Sequence, residues 1–114
     1  KASSGVNDAG LCHGSVGNAH IFARLYHASG DATFKAAAER WYEDAFSFCR
    51  ADLPYAGWGS WGREHLTTGE FGMWPKLGWL EGAIGIAMGF HAATSEIEPR
   101  WDTLLGVDIP MLEA

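Results

Sequence analysis

Two glycine-rich segments 68 residues apart follow one template, and this repeat limits the possible folds more than any other feature. Gly10-Leu-Cys-His-Gly-Ser-Val-Gly-Asn-Ala-His-Ile-Phe22 aligns with Gly78-Trp-Leu-Glu-Gly-Ala-Ile-Gly-Ile-Ala-Met-Gly-Phe90. Gly10, Gly14 and Gly17 meet Gly78, Gly82 and Gly85, while Ala19 meets Ala87 and Phe22 meets Phe90. The shared pattern, G-x-x-x-G-x-x-G-x-A-x-x-F, describes a loop running into a glycine-bearing helix. Glycine inside a helix costs up to about 1 kcal/mol against Ala, so two copies imply a reason. Close approach of helices around a common axis is the simplest. The expectation is an all-α chain of antiparallel helical hairpins, stacked or arrayed in a ring, with the glycine-repeat helices inside.

The remaining segments fit that plan unevenly. Residues 15–28 place Val16, Ala19, Phe22, Ala23 and Tyr26 on one stripe. Ser29-Gly30-Asp31 then supplies a helix stop and the next helix start, with Gly30 suited to C′ and Asp31 to the N-cap. A second helix is expected over 32–49, with Phe34, Ala37, Ala38, Trp41, Ala45 and Phe48 inward. Residues 53–75 carry Trp58, Trp61, Phe71 and Trp74 among glycines with no clear period, and read as a long ordered loop. A third helix over about 80–94 is apolar all round, which predicts burial on all sides. Glu98-Pro99-Arg100-Trp101 opens a short last helix docked by Leu104 and Leu105.

Charge and composition exclude several classes. With 8 Lys and Arg against 14 Asp and Glu, the formal net charge is −6, which disfavours a nucleic-acid surface. No run of about 20 apolar residues is present, so no membrane span is expected. The start, Lys1-Ala2-Ser3-Ser4-Gly5, lacks the apolar core of a signal peptide, and its initial Lys suggests a trimmed or excised piece. Residues 1–114 are expected to form a single unit. Two cysteines, Cys12 and Cys49, cannot staple a disulfide scaffold. A reducing compartment, the cytoplasm, is the default reading.

The repeat also isolates the residues that carry chemistry. Where the second copy has Leu80 and Glu81, the first has Cys12 and His13. Thiolate and imidazole are common zinc ligands. Neighbours on a regular helix diverge by about 100°, and on a strand they face opposite ways. An irregular turn can bring both to one ion, and Gly10 and Gly14 bracket the pair. The competing reading is an inert buried thiol beside an ordinary imidazole. Zinc wants three or four protein ligands. His20 and His27 lie two turns apart, about 10.5 Å, too far to share an ion; His20 matches Met88 and reads as packing. His65, in the irregular segment, is the best local candidate for a role near a site. Cys49 reads as a core thiol, His91 as a helix-edge residue and Glu81 as a helix cap. The aromatic segment, Trp61 included, lines a peptide cleft or packs the loop onto the domain.

Gly10-Leu-Cys-His-Gly-Ser-Val-Gly-Asn18 resembles the Cys-His-Gly signature of the lanthionine synthetase C-like family. The second glycine repeat, followed by Glu98-Pro99-Arg100-Trp101-Asp102, resembles that family's C-terminal repeat and tail. The resemblance implies an α/α toroid, an inner helical barrel inside an outer ring, of which this chain would be the last two or so units. It implies a zinc ion held by two cysteines and a histidine. Cys12 and His13 match the second Cys and the His, and Gly14 allows the tight approach. The other Cys and the family's catalytic His and Asp would precede this segment, so the catalytic residues and third ligand are absent from the chain. The implied reaction is addition of a peptide Cys thiolate, formed at zinc, to the β-carbon of a dehydroalanine or dehydrobutyrine in the same peptide. Protonation of the enolate by a nearby acid then completes the thioether ring. The implied partner is a dehydrated Cys-containing peptide or another thiol.

Three functional readings follow: a piece of a zinc-dependent cyclase, a non-catalytic thiol- or peptide-binding module, and a helical fragment inactive by itself. Units cut from a ring expose the faces that met their neighbours, so self-association of the isolated chain is expected.

Overall fold

The computed structural model describes residues 4–64 and 68–112. The first helix, α1 (Ser15–Ser29), ends as its glycine predicts: Gly30 takes the left-handed conformation at φ 71° and donates its N–H to the Tyr26 carbonyl at 2.7 Å. Asp31 then caps α2 (Ala32–Phe46), its Oδ1 accepting the Thr33 N–H at 2.8 Å. So short a link folds α1 and α2 into an antiparallel hairpin. Ala38 and Ala45 are buried on α2, and Ser15 of α1 donates its hydroxyl to Asp44 at 2.8 Å. α2 stops earlier than expected because Ser47, Phe48 and Cys49 each donate to the carbonyl three residues back, tightening the last turn. Cys49 is consequently exposed rather than a core thiol, with its sulfur 3.5 Å from the Ala56 carbonyl.

The segment expected to be irregular contains a β-hairpin. Strands β1 (Gly59–Arg63) and β2 (Phe71–Pro75) pair antiparallel, with Trp61 opposite Met73 and Arg63 opposite Phe71. The Arg63 guanidinium lies 4.6 Å from the Phe71 ring centre. The Trp74 indole N–H is shared between the Gly62 and Glu70 carbonyls at 3.0 and 3.2 Å. The described residues are therefore predominantly helical with one small two-stranded sheet.

Helix α3 (Ala83–Thr94) begins three residues later than the sequence suggests. It packs on α1 where the bare α-carbon of Gly89 meets Val16: a Cβ there would overlap Val16 Cγ1. Its burial is one-sided. Ile86 is fully buried, but Ile84 remains 46% exposed because no described segment covers that face. The tail turns through a 3₁₀ segment, Arg100–Leu105, not an α-helix. It then runs back beside the end of α1, where Leu112 N–H donates to the His27 carbonyl at 2.8 Å.

Ala9, Leu11, Val16, Ala45 and Ile86 form the buried centre, surrounded by Tyr42, Phe48, Trp58, Trp79, Phe90 and Trp101. Trp58 packs against Phe46 and Phe90, with ring centres 6.3 and 5.8 Å apart, so it belongs to the core rather than to a cleft. Burial raises the Tyr42 phenol to a pKa of about 12.

Candidate functional site

The two copies of the glycine template are the same object in three dimensions. In the first, Gly14 N–H donates to Gly10 O (3.0 Å), Ser15 N–H to Asp8 O (2.9 Å) and Val16 N–H to Ala9 O (3.3 Å). In the second, Gly82 N–H donates to Gly78 O (2.9 Å), Ala83 N–H to Lys76 O (3.0 Å) and Ile84 N–H to Leu77 O (3.1 Å). The chain before each helix doubles back and satisfies that helix's first N–H groups with its own carbonyls. That explains why neither Gly14 nor Gly82 provides a side-chain cap.

The same doubling-back explains most of the glycines. A Cβ on Gly14 would lie 2.6 Å from Ala9 C and from Asp8 Oδ1, and one on Gly82 2.6 Å from Leu77 C. Cβ atoms on Gly17 and Gly85 would overlap the Leu11 and Trp79 carbonyl oxygens. These glycines admit the turn's backbone against its own helix. Helix-to-helix approach, the expected reason for all of them, instead explains Gly89, whose α-carbon meets Val16 of α1. The two turns also touch each other, with Cys12 N–H donating to the Leu80 carbonyl at 2.9 Å.

Cys12 and His13 occupy the crest of the first turn, and both are exposed. The buried inert thiol is thus not what the structure holds at Cys12. An accessible thiol next to an accessible imidazole, on a turn free of helical or strand geometry, fits zinc in donor type. It is a partial set: among the described residues no group of three or more His, Cys, Asp or Glu side chains is placed to hold a metal ion.

Beneath this crest lies Asp8, fully buried. Its Oδ1 accepts the Gly10 N–H at 2.9 Å; its Oδ2 accepts the Trp61 N–H at 2.8 Å and, more weakly, the Ser60 hydroxyl at 3.4 Å. One carboxylate therefore ties the turn to β1, and Oδ2 also stands 3.6 Å from His13 Nε2. At the equivalent positions of the second copy, Lys76 Nζ meets Glu81 Oε2 at 2.7 Å. Glu81 is thus an ion-pair partner across its turn, not a cap.

Trp61, brought to the site through its main chain, leaves its side chain 42% exposed, and Phe71 is 61% exposed. His65 lies outside the described residues.

Sequence reasoning missed a buried polar knot beside the turn. His20 Nε2 is 2.8 Å from Asp102 Oδ2, and the Arg24 Nε reaches the same oxygen at 3.0 Å. Arg24 also donates to Glu98 Oε1 at 3.2 and 3.3 Å. Trp101 stacks on His20 with ring centres 4.7 Å apart and meets Trp79 edge-on. Burial lowers the His20 pKa, opposed by the hydrogen bond and charge of Asp102 and aided by Arg24. His20 Nδ1 and Asp102 Oδ1 have no hydrogen-bond partner among the described residues. His20 and Cys12 line one recess of about 150 Å³ together with Gly17, Ile21 and Leu105. The signal was available: Val16, His20 and Arg24 recur every four residues, so two polar groups occupy the buried stripe and require a buried acceptor.

Duplicated glycine turns feeding packed helices, one of them crowned by a thiol and an imidazole, define a helical repeat protein. The family model described as "Lanthionine synthetase C-like protein" matches residues 1–105, and the chain belongs to that family. Its α1–α2 hairpin and the α3 helix packed on α1 are consistent with the helical toroid of that family. No curated protein matches the chain in a sequence comparison. Among the described residues no helix is long and apolar enough to cross a membrane.

Proposed function

We propose that this chain is part of a zinc-dependent lanthionine synthetase C-like protein that forms thioether rings in a dehydrated peptide. Cys12 and His13 are two of its metal ligands. The observation that carries this reading is the pair's placement: two consecutive residues with soft-to-borderline donors, both exposed, on a turn whose backbone is duplicated at 76–84, where no such donors occur. Bound zinc would lower the pKa of a substrate thiol and present it as a thiolate at neutral pH. The chain's own residues build the surroundings. Gly14 keeps the turn tight, Asp8 anchors it, and the exposed Trp61 offers an aromatic surface beside it for the peptide. The substrate is a Cys-containing dehydrated peptide, and the compartment is the cytoplasm, in keeping with two unpaired thiols.

The test is metal content. The full-length protein is purified and its zinc measured by atomic emission. About one zinc per chain, lost in Cys12→Ala, supports the reading; a protein that binds none rejects it. A second reading, a non-catalytic module that holds a thiol or a peptide, is supported by the exposed Cys12 thiol and the partly exposed Trp61 ring. It predicts thiol-peptide binding that does not change when zinc is removed.

A further inference from the structure

We propose that the recess beside Cys12 is a specificity pocket. It takes an apolar side chain that flanks the cysteine of a thiol peptide, and so selects peptides with an aliphatic or phenyl group at that place. The proposal rests on the reading of Cys12 as the residue that meets a substrate thiol, and it adds the chemical class of the residue beside that thiol.

Three segments wall the recess, about 150 Å³ in volume: Leu11 and Cys12 of the turn, His20 and Ile21 of α1, and Leu105 and Val107 of the tail. Its shape is fixed from beneath. Gly106, left-handed at φ 70°, bends the tail between Leu105 and Val107. Asp102 pins that bend to α1 through His20 at 2.8 Å and Arg24 at 3.0 Å. The same contacts strip the recess of hydrogen-bonding groups. His20 Nε2 is committed to Asp102, and its Nδ1 is buried. The Val107 carbonyl accepts from Ile109 N–H at 2.9 Å and from Arg24 Nε at 3.4 Å, while Val107 N–H donates to the Asp102 carbonyl at 3.4 Å. A polar side chain entering would give up water and receive nothing in return. An apolar one gains the area it buries. An apolar cavity of about 150 Å³ holds a benzene ring, so a leucine, isoleucine or phenylalanine side chain has the right size.

Cys12 identifies the occupant. It lines the recess and is at the same time exposed. Consecutive Cα atoms of a peptide are about 3.8 Å apart. A peptide that brings its own thiol to Cys12 therefore carries the residues flanking that thiol across the recess.

The experiment uses the full-length protein with zinc supplied. Two synthetic peptides, Gly-Leu-Cys-Leu-Gly and Gly-Asn-Cys-Asn-Gly, differ only in flanking side chains of similar size, and their binding is measured by titration calorimetry. The leucine peptide is expected to bind roughly 10-fold tighter or more. Val107→Phe, which fills the recess, is expected to erase that difference. Leu104→Phe, on the same tail but 80% exposed and outside the recess, is expected to keep it. Equal binding of the two peptides by the wild-type protein overturns the proposal, and a recess already filled by another segment of the protein gives that result. A preference that survives Val107→Phe overturns it as well. If Val107→Phe does not fold, the wild-type comparison decides alone. Zinc content separates the two levels: no zinc in the wild type, or zinc kept in Cys12→Ala, sinks the metal reading, whereas about one zinc per chain with equal peptide binding sinks only the pocket.

Discussion

His20 and Asp102 are 82 residues apart in the chain and 2.8 Å apart in the fold, and both are almost wholly withdrawn from water. The contact fastens the tail to α1 immediately beneath the Cys12 turn. Arg24 completes it by neutralising the same carboxylate oxygen. Buried charges persist when they are paired, and removing one partner leaves the others uncompensated.

Asp102→Ala therefore strands the His20 Nε2 proton and leaves Arg24 with the part-exposed Glu98 and a long 3.4 Å contact to the Val107 carbonyl. The expected loss of stability is about 3–5 kcal/mol, read as a lowered urea midpoint. Amide exchange across residues 100–107 should accelerate more than in α2, since the tail loses its anchor. A variant with unchanged midpoint and exchange would show that Trp101 stacking alone holds the tail.

The same contact sets a pH dependence. The folded His20 pKa lies below the ordinary value of 6.5, mainly because burial disfavours the charged ring. Below 6.5 the unfolded chain takes up a proton that the folded chain resists. Stability is thus complete above about pH 6.5 and falls as pH drops toward the folded pKa. His20→Gln should be less stable than wild type at neutral pH and should lose this slope below about pH 6.5. Asp31 and Asp52, whose pKa values are held below the ordinary carboxylate value, titrate lower and do not mask it. Equal slopes in wild type and His20→Gln would remove His20 as the source.

The glycine turn can be tested inside one repeat. A Cβ on Gly82 would lie 2.6 Å from Leu77 C, whereas one on Gly78 would meet nothing within 4 Å. Gly82→Ala is expected to cost about 1–3 kcal/mol or more through forced backbone shifts, and Gly78→Ala to stay within about 0.5 kcal/mol. Thermal unfolding of the two proteins decides. Equal effects would mean that both glycines serve chain flexibility rather than close packing.

What could be read in advance depended on whether a side chain or the backbone carried the signal. Gly30 and Asp31 each satisfy a specific backbone need, so the α1–α2 junction was legible to the residue. The hairpin was not. Gly59 and Gly62 carry no side chain to alternate, and β1 has no β-branched residue to signal pleating, so pairing shows only in the register. The Cys12–His13 turn could be proposed because the second copy lacks the pair. Asp8 could not, because its partners Trp61 and Ser60 come from a strand that was not foreseen. Likewise His20 aligned with Met88 and looked apolar in role; its acceptor sits at the far end of the chain.

The uncovered faces carry the last prediction. Ile21 on α1 and Ile84 on α3 are 39% and 46% exposed, and Leu77 and Leu80 on the second turn are 49% and 42% exposed. In a toroid such faces meet neighbouring units. Covering the exposed half of each side chain is worth about 1 kcal/mol, so the 114-residue chain by itself gains by covering them with a second copy. Light scattering of that chain should show a mass that rises with concentration, and Ile84→Glu should shift the distribution toward monomer. A monomer throughout the micromolar-to-millimolar range would mean that these side chains stay hydrated at little cost. In that case the apolar exposure would no longer argue for neighbouring units on this face.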